Sequence, residues 1–379
     1  MPSAVGRTEL FARLGRITVA EAMLNDAYDY SAEQEWRNRH LDNPHGASWF
    51  TSMHVSSFPG GDPRPCPRKL AYGMMAFAET ETLPQKAKAA GQVGIASESW
   101  LVEMLDLDGR LLSASDDADH QIGFEDADHW LTGSPDIICL PPFWNRPLVI
   151  EAKSAYADAV EDMRNLKRPC VPAHARQCQG YIDLGHHISP LLWPRVVLCK
   201  HTWRLAEEGI EPVIDAMVCR DHGIHADSGC LIEIELQPIQ SGLVLYSSRD
   251  HLETRKSWYF EHDEQRFQKG LDVLRKVQTH YANDEIPPHP FGGKQWSQDP
   301  CRFCNMKKNV CKPDHQAGVT KLTESHGVEW STGVYGGYDP IKVRQAVADR
   351  WRDRRGFNYT LPEGYTIGRN GVQRERAHA

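Results

Sequence analysis

The stretch 129–154 constrains the fold of this chain more than any other. "HWLTGSPDIICL" (129–140) reads as a strand, a tight turn and a strand, and "RPLVIEAKS" (146–154) as the next strand. Ahead of them, "GQVGIASESWLVEML" (91–105) has apolar positions almost all round and reads as a largely buried helix. Behind them, 155–167 and 173–187 read as helices, and "PRVVLCKHTW" (194–203) as a further strand. Helix, strands, helices and strand in that order describe a compact α/β unit. The strand in "VIEAKS" (149–154) ends oddly. Val149 and Ile150 belong in a core, yet Glu151 and Lys153 follow at once. Residues two apart on a strand share a face, so an apolar strand ends on a carboxylate beside an ammonium.

The rest of the chain frames this unit. "SSFPGGDPRPCPRKLAYGMM" (56–75) is a Pro/Gly-rich loop feeding a helix. "CLIEIELQPI", "GLVLYSSRD" and "RKSWYFEHD" read as three later strands. Residues 263–285 form a long amphipathic helix that "IPPHP" stops. Three regions follow: a polar helical extension at 1–55, a central domain at 56–315, and a basic tail at 316–379. The tail reads as looser, apart from a basic helix at 340–355.

No apolar run is long enough to span a bilayer. The first residues, broken by Arg7, Glu9, Arg13 and Arg16, lack the apolar core of a signal peptide. Both point to a cytoplasmic protein without a membrane partner. The net charge of −8 is unevenly spread. Residues 103–128 are acidic, while 301–312 and 342–355 are basic. The basic runs are either a nucleic-acid face or ordinary solvated surface.

Asp136 opens the apolar strand after "GSP", and Glu151 stands on the next one. If the two strands pair, the carboxylates converge on one edge of the sheet. Two such groups repel and need a cation. Hard oxygen ligands with open positions suit Mg²⁺ or Mn²⁺. Lys153 beside them would orient a water or neutralise developing charge. Glu98 sits on the apolar helix, where a bare carboxylate is costly. A metal or its water would satisfy it. Gln177 and Tyr181 are four apart on one helix face and would reach a phosphate or hold Lys153.

Of the ten cysteines, four form a second pattern. "CRFCNMKKNVC" places Cys301, Cys304 and Cys311 close together, and Cys66 in "RPCPRKLAY" is the best fourth ligand. The set suits tetrahedral zinc or a cubane iron–sulfur cluster. Basic residues gather at both segments: Arg64, Arg68 and Lys69, then Arg302, Lys307, Lys308 and Lys312. With Phe303 and Trp296 as stacking surfaces, they suit single-stranded DNA or a frayed end. Histidines in "RDHGIHADSGC" (220–230) are better read as surface residues than as a second metal site.

Taken in order, Gly94-x-x-x-Glu98, "GSPD" (133–136), "EAK" (151–153) and Gln177-x-x-x-Tyr181 resemble the PD-(D/E)XK nuclease superfamily, and within it the RecB-type nucleases. The resemblance implies a restriction-endonuclease-like core, a mixed central sheet flanked by helices. It makes Asp136, Glu151 and the Ala152 carbonyl metal ligands, Lys153 catalytic, and Gln177 and Tyr181 neighbours of the scissile phosphate. Glu98 takes the slot that often holds a histidine. One cysteine before the core and three after it resemble the iron–sulfur members. These include the CRISPR-associated single-strand exonucleases and the nuclease subunit of AddAB. There, four thiolates hold a 4Fe–4S cluster that joins the N- and C-terminal segments of the domain. The implied function is a metal-dependent DNA exonuclease in recombination, repair or phage DNA processing. A helicase, an annealing protein or another recombination factor would be its partner, contacting 316–379. The alternatives are an endonuclease on the same core and a non-catalytic DNA-binding module with Zn²⁺ on the cysteines.

Overall fold

The computed structural model describes residues 52–54, 66–77, 94, 96–102, 111–114, 122–140, 146–193, 195–199, 203–206, 209–212, 231–249, 255–290, 292, 296, 301, 304, 306–335, 337–361, 365–368 and 371–374. All belong to one unit, 50–80 with 93–379. Most of the expected 1–55 extension and the histidine stretch 220–230 lie outside the described residues.

The described elements run in chain order as follows. β1 (Met53–His54) and α1 (Pro67–Met74) precede a helical stretch at 96–102. Then come β2 (Leu111–Ala114), β3 (Gly123–Asp126), β4 (Leu131–Gly133), β5 (Ile137–Cys139) and β6 (Leu148–Ala155). α2 (Ala157–Arg164) and α3 (Pro172–Leu192) follow. β7 (Arg195–Cys199) pairs with β10 (Leu231–Glu235), and β8 (Trp203–Ala206) with β9 (Gly209–Pro212). β11 (Ser241–Ser248), β12 (Arg255–Glu261) and α4 (Glu264–Ala282) complete the centre. Beyond them lie α5 (Lys312–Ala317), α6 (His326–Tyr335), α7 (Pro340–Trp351), β13 (Phe357–Thr360) and a hairpin of β14 (Tyr365–Gly368) and β15 (Gly371–Arg374).

The fold is α/β, with mixed sheets flanked by helices. The larger sheet has the order β12-β11-β6-β5-β2. β6 runs parallel to β11 and antiparallel to β5. Its apolar run is buried on both faces, as expected of a central strand. Val149 joins the main core, while Ile150 packs with Leu101, Val102, Ile137, Cys139 and Leu148 on the other side. A second sheet has the order β1-β4-β3-β13. β4 and β5 therefore belong to different sheets, and "GSPD" carries the chain from one to the other.

α3 touches both sheets, meeting β6, β11 and β12 as well as β3 and β13. This explains why its residues 178–185 are all buried, polar ones included. The approach to β11 is close. A Cβ added at Gly242 would lie 2.8 Å from the Val149 carbonyl oxygen and 2.9 Å from Ile182. Only glycine lets the helix and the strand sit together there.

Three expectations change. The 91–105 helix is not buried all round: in its described part Leu101 and Val102 are buried, whereas Glu98 is half-buried and Ser99 exposed. Residues 316–361 are not a loose tail. Val347 and Trp351 lie in the main core, and β13 pairs with β3. The central unit also begins before residue 56, because Met53 is buried and β1 pairs with β4. In the last two cases a distant segment supplies apolar cover that local pattern does not reveal.

Gly242→Ala should destabilise the protein by about 1–3 kcal/mol through overpacking. Urea unfolding measures it. An unchanged midpoint would mean that α3 has room to retreat.

Candidate active site

The site forms where β5 and β6 part. Their pairing ends at Ile137 opposite Ile150. Asp136 and Glu151 are the next residue on each strand, so the expected convergence of the two carboxylates is present. Asp136 Oδ2 accepts a hydrogen bond from the Ala152 amide at 2.9 Å. That bond substitutes for the missing ladder partner and fixes the aspartate beside β6. Lys153 Nζ lies 3.8 Å from Asp136 Oδ2 and contacts Glu151 Oε1.

Glu151 is fully buried. Its Oε1 lies against the Lys153 ammonium, and among the described residues no donor reaches its Oε2. A buried carboxylate in that state is costly. Burial, and then the Asp136 charge, push the Glu151 carboxyl up to about 8 against the pull of Lys153. Burial likewise raises the Asp136 carboxyl. For Lys153, burial acts downward, but Glu151 and Asp136 outweigh it and hold the ammonium above its ordinary value. Glu98 is close enough to add to the negative field at Glu151 and Lys153. Gly94 sits one turn ahead of it, where an added Cβ would come within 3.3 Å of Ser154 Oγ. The glycine thus lets the Glu98 helix close on the end of β6.

α3 supplies the remaining wall. Gln177 Nε2 donates to Tyr181 Oη at 3.2 Å. Burial, then the Glu151 charge, raise the Tyr181 phenol, so it stays protonated. Cys178, between them, feels Glu151, Asp136 and Lys153. Sequence reasoning missed His174. Burial, then the Lys153 charge, lower its imidazole to about 4, so it is neutral at pH 7. It pairs with Tyr246 Oη at 2.8 Å through Nδ1. A signal was available: 174, 177, 178 and 181 have the i, i+3, i+4, i+7 spacing of one helix face.

The four cysteines are also brought together. Cys66, Cys301, Cys304 and Cys311 line one small cleft, with Lys69, Tyr72, Trp296, Met306 and Lys307. Burial pushes the Cys66 thiol up to about 11 and the Cys311 thiol up to about 12, the latter against the pull of Arg68. His289 Nε2 lies 3.3 Å from Cys301 Sγ. Among the described residues, no three His, Cys, Asp or Glu side chains are already disposed to hold a metal ion.

The expected DNA-binding residues divide. Lys69 and Lys308 are exposed and Lys307 half-buried, while Arg302 lies outside the described residues. Arg68 is not a surface cation. It is 7% exposed, donates to the Pro287 carbonyl at 2.6 Å, and points Nη1 at Cys311 Sγ at 3.8 Å. The basic run at 342–355 is largely engaged as well. Arg350 and Arg354 bind Glu125, and Arg344 binds Asp284.

The sign of the Glu151 shift gives a test on metal-free protein. A carboxyl raised from 4.5 to about 8 on folding costs nothing below the lower value and its full penalty above the higher one. Glu151→Gln should therefore melt like wild type at pH 4.5 and a few degrees higher above about pH 8. Calorimetry across that range reads the gap. A gap that stays constant with pH would show that Glu151 ionises freely. No family model, no curated protein and no solved structure matches the chain.

Proposed function

We propose that this chain is a divalent-metal-dependent deoxyribonuclease of RecB type, acting as an exonuclease on single-stranded DNA or DNA ends. The observation that carries the reading is the buried Glu151, beside Asp136 and, among the described residues, without a donor on Oε2. Its support is chemical: hard, anionic oxygens in a dry setting seek a small, hard cation. Mg²⁺ or Mn²⁺ fits this donor set, with Asp136, Glu151 and the Ala152 carbonyl as ligands and Glu98 near enough to assist. When bound, the ion supplies Lewis-acid charge at the phosphate.

The protein's own groups account for the rest of a hydrolysis. The attacking water forms a bond to phosphorus while the bond to the leaving sugar oxygen breaks, and a water proton ends on that oxygen. Without a metal, the two carboxylates hold Lys153 as an ammonium. It orients the water or offsets the charge that builds on the phosphoryl oxygens. Asp136, fixed by the Ala152 amide, needs no reorganisation during the step. Tyr181, protonated and tied to Gln177, positions and does not titrate.

The cysteine cleft completes the proposal. Four thiols lining one cleft, drawn from segments more than 230 residues apart, suit a 4Fe–4S cluster, with Zn²⁺ as the alternative. Lys69 and Lys307, which line it, and the exposed Lys308 next in the chain would meet the DNA backbone. A helicase or annealing protein is the class of partner such an enzyme serves.

Anaerobic purification with iron analysis, followed by assays on end-labelled single-stranded DNA with Mg²⁺ or Mn²⁺, tests both halves. The protein should be brown, with about four irons per chain. Asp136→Asn, Glu151→Ala and Lys153→Ala should each lose at least about a hundredfold in rate. Cleavage of closed circular DNA would make it an endonuclease. A colourless zinc protein that binds DNA without cutting would leave a binding module.

A further inference from the structure

β6 does not end at the carboxylate site. Beyond Lys153 the strand continues through Ser154 and Ala155 to Tyr156, which caps the start of α2. Tyr156 is 50% exposed, unusual for a large ring so near a buried site. The guanidinium of Arg249 lies over this ring, 5.1 Å from its centre. Arg249 follows directly on β11, whose register puts Ser248 opposite Ala155. Its Nε donates to Ser154 Oγ at 3.1 Å and its Nη2 to the Ser154 carbonyl at 3.2 Å. The arginine is thus pinned to the strand that carries the site.

The charge on Arg249 is not neutralised by an acid: among the described residues, no carboxylate pairs with it. Several other arginines among the described residues spend their charge on one, as Arg266 does on Asp183 and Arg350 on Glu125. Three residues of strand separate Tyr156 from Lys153, about 10 Å, which is within reach of a neighbouring nucleotide. A fixed cation on a half-exposed aromatic ring offers the two contacts that an unpaired nucleotide makes, a phosphate contact and a stacking face. A base held in a duplex has both of its faces covered and cannot use the second.

Building on the nuclease reading, we propose that Tyr156 and Arg249 form a nucleotide-positioning subsite next to the site of cleavage. It stacks an unpaired base on Tyr156, binds a phosphate through Arg249, and so favours single-stranded DNA over duplex.

The test is fluorescence anisotropy on the full chain carrying Glu151→Gln, so that the probe is not cut, with Mg²⁺ present. The probes are a labelled short oligothymidylate and an abasic strand of equal length. Tyr156→Ala should weaken binding of the oligothymidylate about tenfold and leave the abasic strand unchanged. Tyr156→Phe should behave as the parent. Arg249→Gln should weaken both probes alike and reduce the slope of log affinity against log salt by about 0.7, and Arg249→Lys should restore the slope. Equal loss on both probes with Tyr156→Ala, or no loss on either, would overturn the stacking role. An unchanged salt slope with Arg249→Gln would overturn the phosphate role. Wild-type protein that cleaves DNA while either result holds would remove only this subsite. Wild-type protein that neither binds nor cuts the oligothymidylate would take the nuclease reading with it.

Discussion

One helix between two sheets sets the terms for everything else. α3 is buried along most of its length because sheet residues meet it on both sides. A helix trapped in this way cannot slide or rotate without opening one interface. Its registration therefore fixes the wall of the candidate site, formed by His174, Gln177, Cys178 and Tyr181. Gly242 is the point where this constraint is tightest, since its missing side chain is filled by Ile182 and the Val149 carbonyl. Val149 is two residues before Glu151 on the same face of β6. The packing that holds the helix thus also holds the carboxylate.

Three acids among the described residues are fully buried, Asp183, Asp314 and Glu151, and they differ in how far protein donors satisfy them. Asp183 is fully buried and accepts from Gln179, His262, Arg266 and the Asp263 amide. Asp314 is fully buried and accepts from Tyr72, Ser325 and both the amide and the ring of His326. Each is saturated with donors, as a carboxylate that only holds structure together should be. Glu151 is equally buried but has one ammonium, shared with Asp136. Glu125, 2% exposed, also keeps one unpartnered oxygen among the described residues, but two arginines offset its charge, whereas Glu151 has only the shared Lys153. An incoming cation would settle that imbalance, and it would also loosen Lys153 from its carboxylates for work on a substrate.

Much of this was legible before any coordinates. The apolar strand ending in Glu151 and Lys153, the Asp136 that opens its neighbour, and the bracket of cysteines are local patterns, and the structure brings each set together. What could not be read were the long-range partners. Nothing near Glu125 says that Arg350 and Arg354, more than 220 residues later, will take up its charge. The two basic and acidic runs therefore looked like surfaces, when part of each is an internal contact. Arg68 misled in the same way. Its place among Pro and Lys suggests exposure, but the 287–311 segment closes over it. His174 differs, for its spacing from Gln177 and Tyr181 is itself a local pattern.

The cysteine cleft should be seen against what already holds its two sides. α1, which Cys66 precedes, is tied to the later segments by several polar contacts that involve no thiol. Tyr72 donates to Asp314 at 2.8 Å, Tyr281 to the Met74 carbonyl at 3.1 Å, and Tyr338 to the Met75 carbonyl. Arg68 reaches Pro287 from the same helix. Around them lies apolar packing: Leu70, Tyr72, Met74 and Phe77 share a core with Leu271, Met306 and Leu322. Loop closure between residue 66 and the 301–311 segment is thus met by the fold itself, and a cluster would add only a further constraint to ends already held together. That changes what a cluster would be for. A group not needed to bring the segments together is free to set the electrostatics and the rigidity of the rim where Lys69 and Lys307 stand.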